Sequence, residues 1–371
     1  MRSTTGEHWV ALDHIRALAA FLVFCWHFLH WSDGTPVAFA GAPDVFVLAP
    51  FDEGHTGVAL FMALSGYIFT KLLDGRRIMV GWFLWNRLLR LAPLLLVTMA
   101  LAGINIALHH GDYIGYLKAL PLGLIFPSWP NGGWSIAVEL HFYILLPVML
   151  IVLRKSPAWL ALTLLVAIAL RTGIYLQLGE AKSAAYFTII GRYDDFALGM
   201  IAFHYRRHMA SRHGRAIAIL LSYCAFYWLF DRAGGADGLE RSPIWIILPT
   251  IEAACFAGLI AYYDQSTAFR NAGISRLIAT AGAYSYSIYL LHLFVVNHIV
   301  HLIERFVDLS NFYVALAWAI PAFLAMMPLG YLSFRFIEAP PLRYRRRYAF
   351  KDPALGAPVT LAVDQEAREA L

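Results

Sequence analysis

An arginine and a histidine lie inside the first long apolar stretch of this 371-residue chain, in the run DHIRALAAFLVFCWHFLHW. Arg16 and His27 are eleven residues apart, close to three helical turns, so both project from one helix face about 16 Å apart along the axis. A charged side chain in the middle of a bilayer costs about 2.5–3.5 kcal/mol, so ionisable groups there are usually functional. An imidazole in this position can act as a general base. The alternative is a pair that holds helices together.

A second group of polar residues opens a later apolar stretch, in NGGWSIAVELHFYILLP. Ser135 and Glu139 are one helical turn apart and share a face. Glu139 is expected at a depth similar to that of His27, where a carboxylate could hold the imidazole in the tautomer that base catalysis needs. We therefore predict His27, Glu139 and Ser135 as catalytic residues. For Glu139 the alternative is a Glu–Arg pair that serves folding.

Two arginines lie near the predicted start of another span, in WNRLLRLAP. Arg87 and Arg90 are three residues apart and face one way. Two guanidinium groups beside a membrane suit a phosphate, as in coenzyme A or a lipid headgroup. Basic residues at the end of a span also act as topology signals, which is the alternative here and for the later run RYRRR.

A charged cluster in GRYDDFALG places Arg192, Asp194 and Asp195 in one predicted span. An arginine beside two acids in lipid forms a buried ion pair or binds a polar acceptor, and we weigh the two equally. The small residues Ser65 and Gly66 in FMALSGYIFTK favour close helix packing. The residues predicted to bind an acceptor or to serve structure are Trp134, Tyr143, Arg192, Asp195, Tyr289 and His292.

The composition indicates an integral membrane protein. Hydrophobic residues make up 60% of the chain and charged residues 14%, and the mean hydropathy is +0.61, unlike a soluble domain. The isoelectric point near 9.0 comes from basic residues at the ends of apolar segments, a pattern of topology signals that argues against nucleic-acid binding. The cysteines and histidines have neither disulfide nor metal-ligand spacing, so we expect no metal and no tightly bound cofactor.

Apolar segments of bilayer-crossing length recur along nearly the whole chain and predict an all-α bundle of about ten transmembrane helices. Their expected ranges are 11–30, 56–74, 89–108, 138–153, 157–176, 186–204, 214–230, 245–263, 278–300 and 313–335. Lys and Arg concentrate in alternate connections, which we therefore expect to be cytoplasmic, together with both termini. Residues 1–342 are predicted to form one membrane domain, and 343–371 a basic and then polar cytoplasmic tail.

Taken in order, these motifs resemble those of acyltransferase family 3, membrane-bound enzymes that transfer acyl groups from acyl-CoA to sugars and other hydroxyl acceptors. The Arg16–His27 pair is similar to the family's first-helix Arg/His signature, and FMALSGY to its LSG segment. RLLRLAP resembles RxxR-x-x-P, WSIAVELHFY resembles WS-x-x-x-E-x-x-FY, SYSIYLLH resembles SYxxYLxH, and FRFIEAP resembles FxxExP. The resemblance covers nearly the whole chain.

The resemblance implies a multi-pass enzyme of the bacterial cytoplasmic (inner) membrane that transfers groups other than aminoacyl groups. Its expected partners are membrane lipid, a cytoplasmic acyl-CoA donor, usually acetyl-CoA, and a hydroxyl acceptor on a cell-envelope glycan or lipid-linked saccharide. Arg16, Arg87 and Arg90 would then bind acyl-CoA, and His27 would act as the general base or carry the acyl group covalently. The competing class is a transporter or flippase of a lipid-linked sugar or small anion, a class in which internal repeats are common; we find none here.

Overall fold

The computed structural model describes residues 9–30, 37–38, 43–266 and 273–352. Helices dominate these ranges, because backbone groups in lipid must be satisfied within their own segment. The helices are α1 (Val10–Leu29), α2 (Ala49–Asp52), α3 (Gly57–Leu73), α4 (Val80–Leu108), α5 (Tyr113–Leu122), α6 (Gly133–Lys155), α7 (Pro157–Leu178), α8 (Lys182–Phe187), α9 (Ile189–His204), α10 (His213–Arg232), α11 (Gly235–Gly238), α12 (Leu248–Ser266), α13 (Gly273–Ala283), α14 (Ser285–Glu304) and α15 (Phe312–Ser333). A π-helical turn follows at Phe334–Glu338, and 3₁₀ turns occur at Phe46–Leu48, Gly54–Thr56, Arg206–Met209, Pro243–Ile246 and Pro340–Tyr344.

Seven stretches of the described chain are long and apolar enough to cross a membrane: Val10–Leu29, Gly54–Leu73, Val80–Leu108, Gly133–Lys155, Pro157–Leu178, Ser285–Glu304 and Phe312–Tyr344. The prediction of an all-α membrane protein is therefore confirmed. Helices occupy all ten predicted stretches, although α8 and α9 are separated at Thr188 and α13 and α14 at Tyr284. The number of membrane crossings and the cytoplasmic position of the termini stay predictions.

Glycines allow the closest approaches between helices. A Cβ on Gly66 of α3 would lie 2.1 Å from the carbonyl oxygen of Phe196 in α9, so only glycine fits there. The packing role predicted for the small residues of FMALSGYIFTK is thus confirmed for Gly66, whereas Ser65 lines the internal cavity. A Cβ on Gly282 of α13 would lie 1.8 Å from the carbonyl oxygen of Asp13 in α1. Since α1 also contacts α3, α14 and α15, it is an interior helix whose polar residues have helix neighbours.

Two short strands join the residues before α4 to those beyond α15. β1 (Arg76–Ile78) and β2 (Ala349–Lys351) pair antiparallel, with Arg77 opposite Phe350 at the centre of the register. The ladder satisfies backbone hydrogen bonds that neither segment could satisfy alone. It ties residues 343–352, which we call the strap, to the start of α4.

Side-chain contacts hold the strap against the bundle. The amide nitrogen of Asn86 donates to the carbonyl of Arg346 at 2.7 Å, and its amide oxygen accepts from the Arg346 N–H at 3.0 Å. Asn86 and Tyr348 are 0% and 1% exposed. The first ten residues of the predicted tail are therefore anchored to the bundle by these contacts, and 353–371 lie outside the described residues.

Candidate active site

A cavity of about 230 Å³ opens within the bundle between α1, α3, α4, α6, the α13–α14 junction and the strap. Its ionisable and hydroxyl-bearing lining residues are Asp13, Arg16, Ser65, Arg87, Arg90, Ser135, Glu139, Tyr143, Ser285, Tyr286, Tyr289, Arg345 and Tyr348. All three predicted acyl-CoA-binding arginines are in this set, together with two of the three predicted catalytic residues. The sequence motifs, spread over more than 330 residues, therefore meet around one internal space.

The cavity runs along α4 and α6, which are antiparallel. A Cβ on Gly133 would lie 3.4 Å from the Leu95 side chain, whereas Tyr143 is beside Arg87, whose guanidinium carbon is 6.0 Å from the tyrosine ring centroid. Ser135 and Tyr143 are eight residues apart, about 12 Å along a helix. The arginines and Ser135 thus lie at opposite ends of the cavity.

Glu139 contacts hydroxyl groups on two helices. Its Oε1 accepts a hydrogen bond from Tyr143 one turn later in α6, and one from Ser65 Oγ of α3 at 3.3 Å. The three side chains form a polar wall of the cavity next to Arg87. Glu139 therefore joins α3 to α6 and presents a carboxylate to the interior.

Ser135 and Tyr289 form the other end of the cavity. Their hydroxyl oxygens are 2.8 Å apart, and each hydroxyl can donate to the Gly132 carbonyl, at 2.8 Å from Ser135 and 3.2 Å from Tyr289. Gly132 has a φ of +75°, and a Cβ there would lie 2.9 Å from the Tyr289 hydroxyl oxygen. A glycine at this turn therefore permits the close approach of Tyr289.

Two imidazoles follow one another from Tyr289: the His292 ring lies next to Tyr289, and the His27 ring lies next to His292. The ring centroid of His292 is 6.1 Å from that of Tyr289 and 5.0 Å from that of His27. His292 Nδ1 is 2.6 Å from the Tyr289 carbonyl oxygen, and because a carbonyl only accepts, Nδ1 carries the hydrogen. His292 Nε2 therefore has a lone pair, and this buried atom has no hydrogen-bond partner in the part of the chain that the structure describes.

The predicted catalytic residues are thus divided between the cavity lining and the neighbourhood of His292. Glu139 and Ser135 line the cavity, whereas neither His27 nor His292 is among its described lining residues. The contacts seen for Glu139 are with Ser65 and Tyr143, and those for His27 include the His292 ring. The predicted orientation of His27 by Glu139 or Ser135 stays a prediction. Tyr289 touches both regions and connects them.

The guanidinium groups have different partners. Arg16 pairs with Asp13 at 2.5 Å, and Arg90 pairs with Glu338, which also accepts from Ser287. Arg87 lies 5.1 Å from the Phe69 ring centroid, and its Nε is buried with no hydrogen-bond partner among described residues.

Arg345 of the strap is also a lining residue; it belongs to the run RYRRR, for which the sequence left phosphate binding and a topology signal open. Burial and repulsion from Arg87 and Arg90 lower the pKa of Arg345 to about 10. Three guanidinium groups from α4 and the strap therefore converge closely enough to disturb one another. A single basic run after the last helix carried no signal of this convergence.

The GRYDDFALG cluster forms two separate buried ion-pair groups. Arg192 contacts Asp195 at 3.4 Å and Glu252 of α12 at 3.0 Å. Asp194 instead pairs with Arg171 of α7 at 2.8 Å, and both side chains are 0% exposed. Glu252 and Arg171 were missed, although each is an isolated charge in an apolar stretch, the signal that marks intramembrane pairs.

Trp134 packs against the same region, with its ring centroid 5.1 Å from that of Tyr186 and 4.9 Å from that of Phe187. The Arg192 guanidinium lies 4.5 Å from the Tyr186 ring centroid. Trp134 thus joins the start of α6 to the ion-pair network of α9. These contacts show a packing position for Trp134 and Arg192 and do not test acceptor binding.

Further buried pairs lie near the end of α1. His30 contacts Asp52 at 3.1 Å and His55 contacts Glu53 at 2.9 Å, and all four side chains are at most 3% exposed. The two acids lie between the predicted spans 11–30 and 56–74. No group of three or more His, Cys, Asp or Glu in the described ranges is placed to hold a metal ion.

The helical membrane fold and the internal cavity define a membrane protein with a charged internal cavity. A family model described as an acyltransferase domain matches residues 9–335. The chain belongs to this family, acyltransferase family 3, and is an acyltransferase enzyme, as the sequence motifs predicted.

Two curated proteins are similar over most of the chain. Peptidoglycan O-acetyltransferase OatA of Listeria monocytogenes serovar 1/2a (strain ATCC BAA-679 / EGD-e) is 22% identical over 89% of this chain and 55% of its own length. Nodulation protein 10 of Rhizobium leguminosarum bv. viciae is 24% identical over 90% of this chain and 93% of its own length. The chain therefore spans about half the length of the first relative. No solved structure gives a significant match.

Proposed function

We propose that the protein transfers an acyl group, acetyl in the first instance, from cytoplasmic acyl-CoA to a hydroxyl of a cell-envelope glycan or lipid-linked saccharide. The carrying observation is the cavity itself, which has arginines at one end and Ser135 and Tyr289, backed by two imidazoles, at the other. A relative whose name describes peptidoglycan O-acetylation supports a glycan acceptor. Both named relatives are bacterial, which supports a place in a bacterial inner membrane.

The donor would enter at the arginine end. Arg87 and Arg90 start a span whose basic flank is expected on the cytoplasmic side, where acyl-CoA is found. Guanidinium groups suit the phosphates of coenzyme A because their planar forks match phosphate oxygens. The cavity would then take the pantetheine arm about 12 Å along α6 and bring the thioester toward Tyr289. Arg16 lines this passage.

The reaction would take place beside the imidazoles. His27 removes the proton from the acceptor hydroxyl, the oxygen attacks the thioester carbonyl, the C–S bond breaks and the coenzyme A thiolate takes that proton back from the His27 imidazolium. The His292 ring lies beside His27, with 5.0 Å between the ring centroids, and would help to orient it. A covalent acyl-histidine is the variant in which the imidazole attacks first.

The test is acyl transfer by the purified protein in detergent, followed as free coenzyme A released from acetyl-CoA with a hydroxylated saccharide. His27→Ala should lower the rate by about 10²–10⁴-fold, the usual contribution of a general base. His292→Asn, which keeps a donor for the Tyr289 carbonyl but loses the basic nitrogen, should also lower kcat. His298→Ala on the exposed side of the same helix is the matched control.

Membrane insertion and elution as a single folded species must be unchanged in each variant. Transfer at the wild-type rate by His27→Ala would remove that residue from the mechanism. Coenzyme A released only with an acceptor distinguishes transfer from the transporter alternative, which membership of an acyltransferase family already disfavours.

A further inference from the structure

Three buried hydrogen-bond donors converge on the arginine end of the cavity without partners. Arg87 Nε, Arg345 Nε and the Tyr348 hydroxyl are each buried, and none has a hydrogen-bond partner in the described part of the chain. All three residues line the cavity. Unsatisfied buried donors are rare in folded proteins, so three at one place indicate a ligand that supplies acceptors.

The cavity lining also carries more positive than negative groups. The described lining of the cavity contains four guanidinium groups and two carboxylates, Asp13 and Glu139. Asp13 pairs with Arg16, and the Arg90 charge is met by Glu338. Glu139 lies near Arg87, beside Tyr143. The two arginines Arg87 and Arg345 therefore share one neighbouring carboxylate, and the remaining positive charge would stabilise an anion.

The chemistry of the donors selects the type of anion. Two guanidinium N–H groups and one phenol O–H offer three converging donors. A phosphate group has enough oxygens to accept all three, and guanidinium–phosphate bonds are among the stronger charge-assisted contacts. A carboxylate can also accept three hydrogen bonds, but its two oxygens lie in one plane and it carries less charge than a phosphate group.

Two of the three donors belong to the strap, so the position of the strap determines whether the three lie together. Asn86 holds the Arg346 backbone from both sides, the Met79 N–H donates to the Tyr348 carbonyl at 2.8 Å, and Trp85 Nε1 donates to the Tyr344 carbonyl at 3.3 Å. These contacts fix the backbone on each side of Arg345. The side chains of Arg345 and Tyr348 are thereby held over the start of the cavity rather than free in solvent.

We propose that Arg345 and Tyr348 of the strap complete, with Arg87, a phosphate-binding site at the arginine end of the cavity. The phosphate belongs to coenzyme A, an assignment that rests on the proposed function, or to a phospholipid headgroup. The strap is therefore part of the ligand site, and Asn86 is a positioning residue for it.

Binding to the purified protein in detergent, with no acceptor present, tests the site. The probes are coenzyme A, pantetheine, which has the same arm without phosphate, and short-chain phosphatidylglycerol. Arg345→Gln should weaken coenzyme A binding about tenfold to a hundredfold, the usual effect of losing a charged hydrogen-bonding partner. Tyr348→Phe should weaken it by a smaller factor, and pantetheine binding should change in neither variant.

Arg343→Gln is the matched control, because Arg343 is an exposed strap residue that does not line the cavity. Asn86→Ala should reproduce the Arg345→Gln loss while pantetheine still binds, which a general loss of fold would not do. If phosphatidylglycerol, and not coenzyme A, binds in an Arg345-dependent manner, the site holds a lipid phosphate and the proposed donor is wrong. If wild-type protein binds coenzyme A and Arg345→Gln binds it equally well, the phosphate site is wrong and the proposed function stands.

Discussion

Replacing Arg345 by glutamine should stabilise the ligand-free protein, although the same change removes ligand affinity. Burial and the guanidinium groups of Arg87 and Arg90 lower the pKa of Arg345 from its usual value to about 10. The charged form is therefore disfavoured by folding. Because the folded pKa lies below the unfolded value, this penalty is complete at every pH below about 10 and is relieved only as the pH rises above it.

The size of the effect follows from the same pKa. At about 1.4 kcal/mol for each tenfold change in an ionisation constant, the difference corresponds to about 3 kcal/mol at pH 7.5 before screening. Arg345 is partly exposed, so solvent screens some of this penalty. Glutamine removes the charge and keeps a polar end group that still needs solvation, so about 3 kcal/mol is an upper bound. A bound phosphate would offset the same penalty in the wild-type protein.

Thermal unfolding in detergent, followed by the fluorescence of the 11 tryptophans, measures both the stability without ligand and the stability gained on ligand binding. Without ligand, Arg345→Gln should melt a few degrees above wild type, and Arg343→Gln should melt with wild type. With coenzyme A at about 100 times its Kd, wild type should gain about 2.7 kcal/mol of stability and Arg345→Gln much less. If ligand-free Arg345→Gln melts well below both proteins, the arginine makes favourable contacts and the reasoning from its buried charge is refuted.

Two further changes test the packing. Gly66→Ala forces a Cβ to 2.1 Å from a backbone oxygen of α9, so this variant should no longer elute as a monodisperse peak in size-exclusion chromatography. Gly81→Ala in α4 is the control, because a Cβ there has nothing within 4 Å. Its elution should be unchanged or slightly improved. Arg171→Met leaves Asp194 buried without its ion-pair partner and should lower the free energy of unfolding by about 3–5 kcal/mol. Adding Asp194→Leu should restore part of the melting temperature. If it restores none, the loss came from the backbone contacts of Arg171.

The lengths of the apolar runs determined the membrane fold, because only a helix satisfies its own backbone in lipid and about 20 apolar residues are needed to cross. The spacing of motifs determined the family and the faces of single helices. Ser135 and Glu139 do share a cavity wall, since residues one turn apart in a helix lie on one face. These features are local, and a sequence read alone reveals them.

Partners between helices were decided only by the tertiary structure. Asp194 and Asp195 are adjacent in the chain, yet one pairs with Arg171 and the other with Arg192, which in turn reaches Glu252. Sequence periodicity places a side chain on a face, but helix rotation and relative depth choose what that face meets. Both are set by close contacts such as Gly66 against α9. The same packing places Arg345 in the cavity lining, a choice that the run RYRRR by itself left open between a phosphate contact and a topology signal.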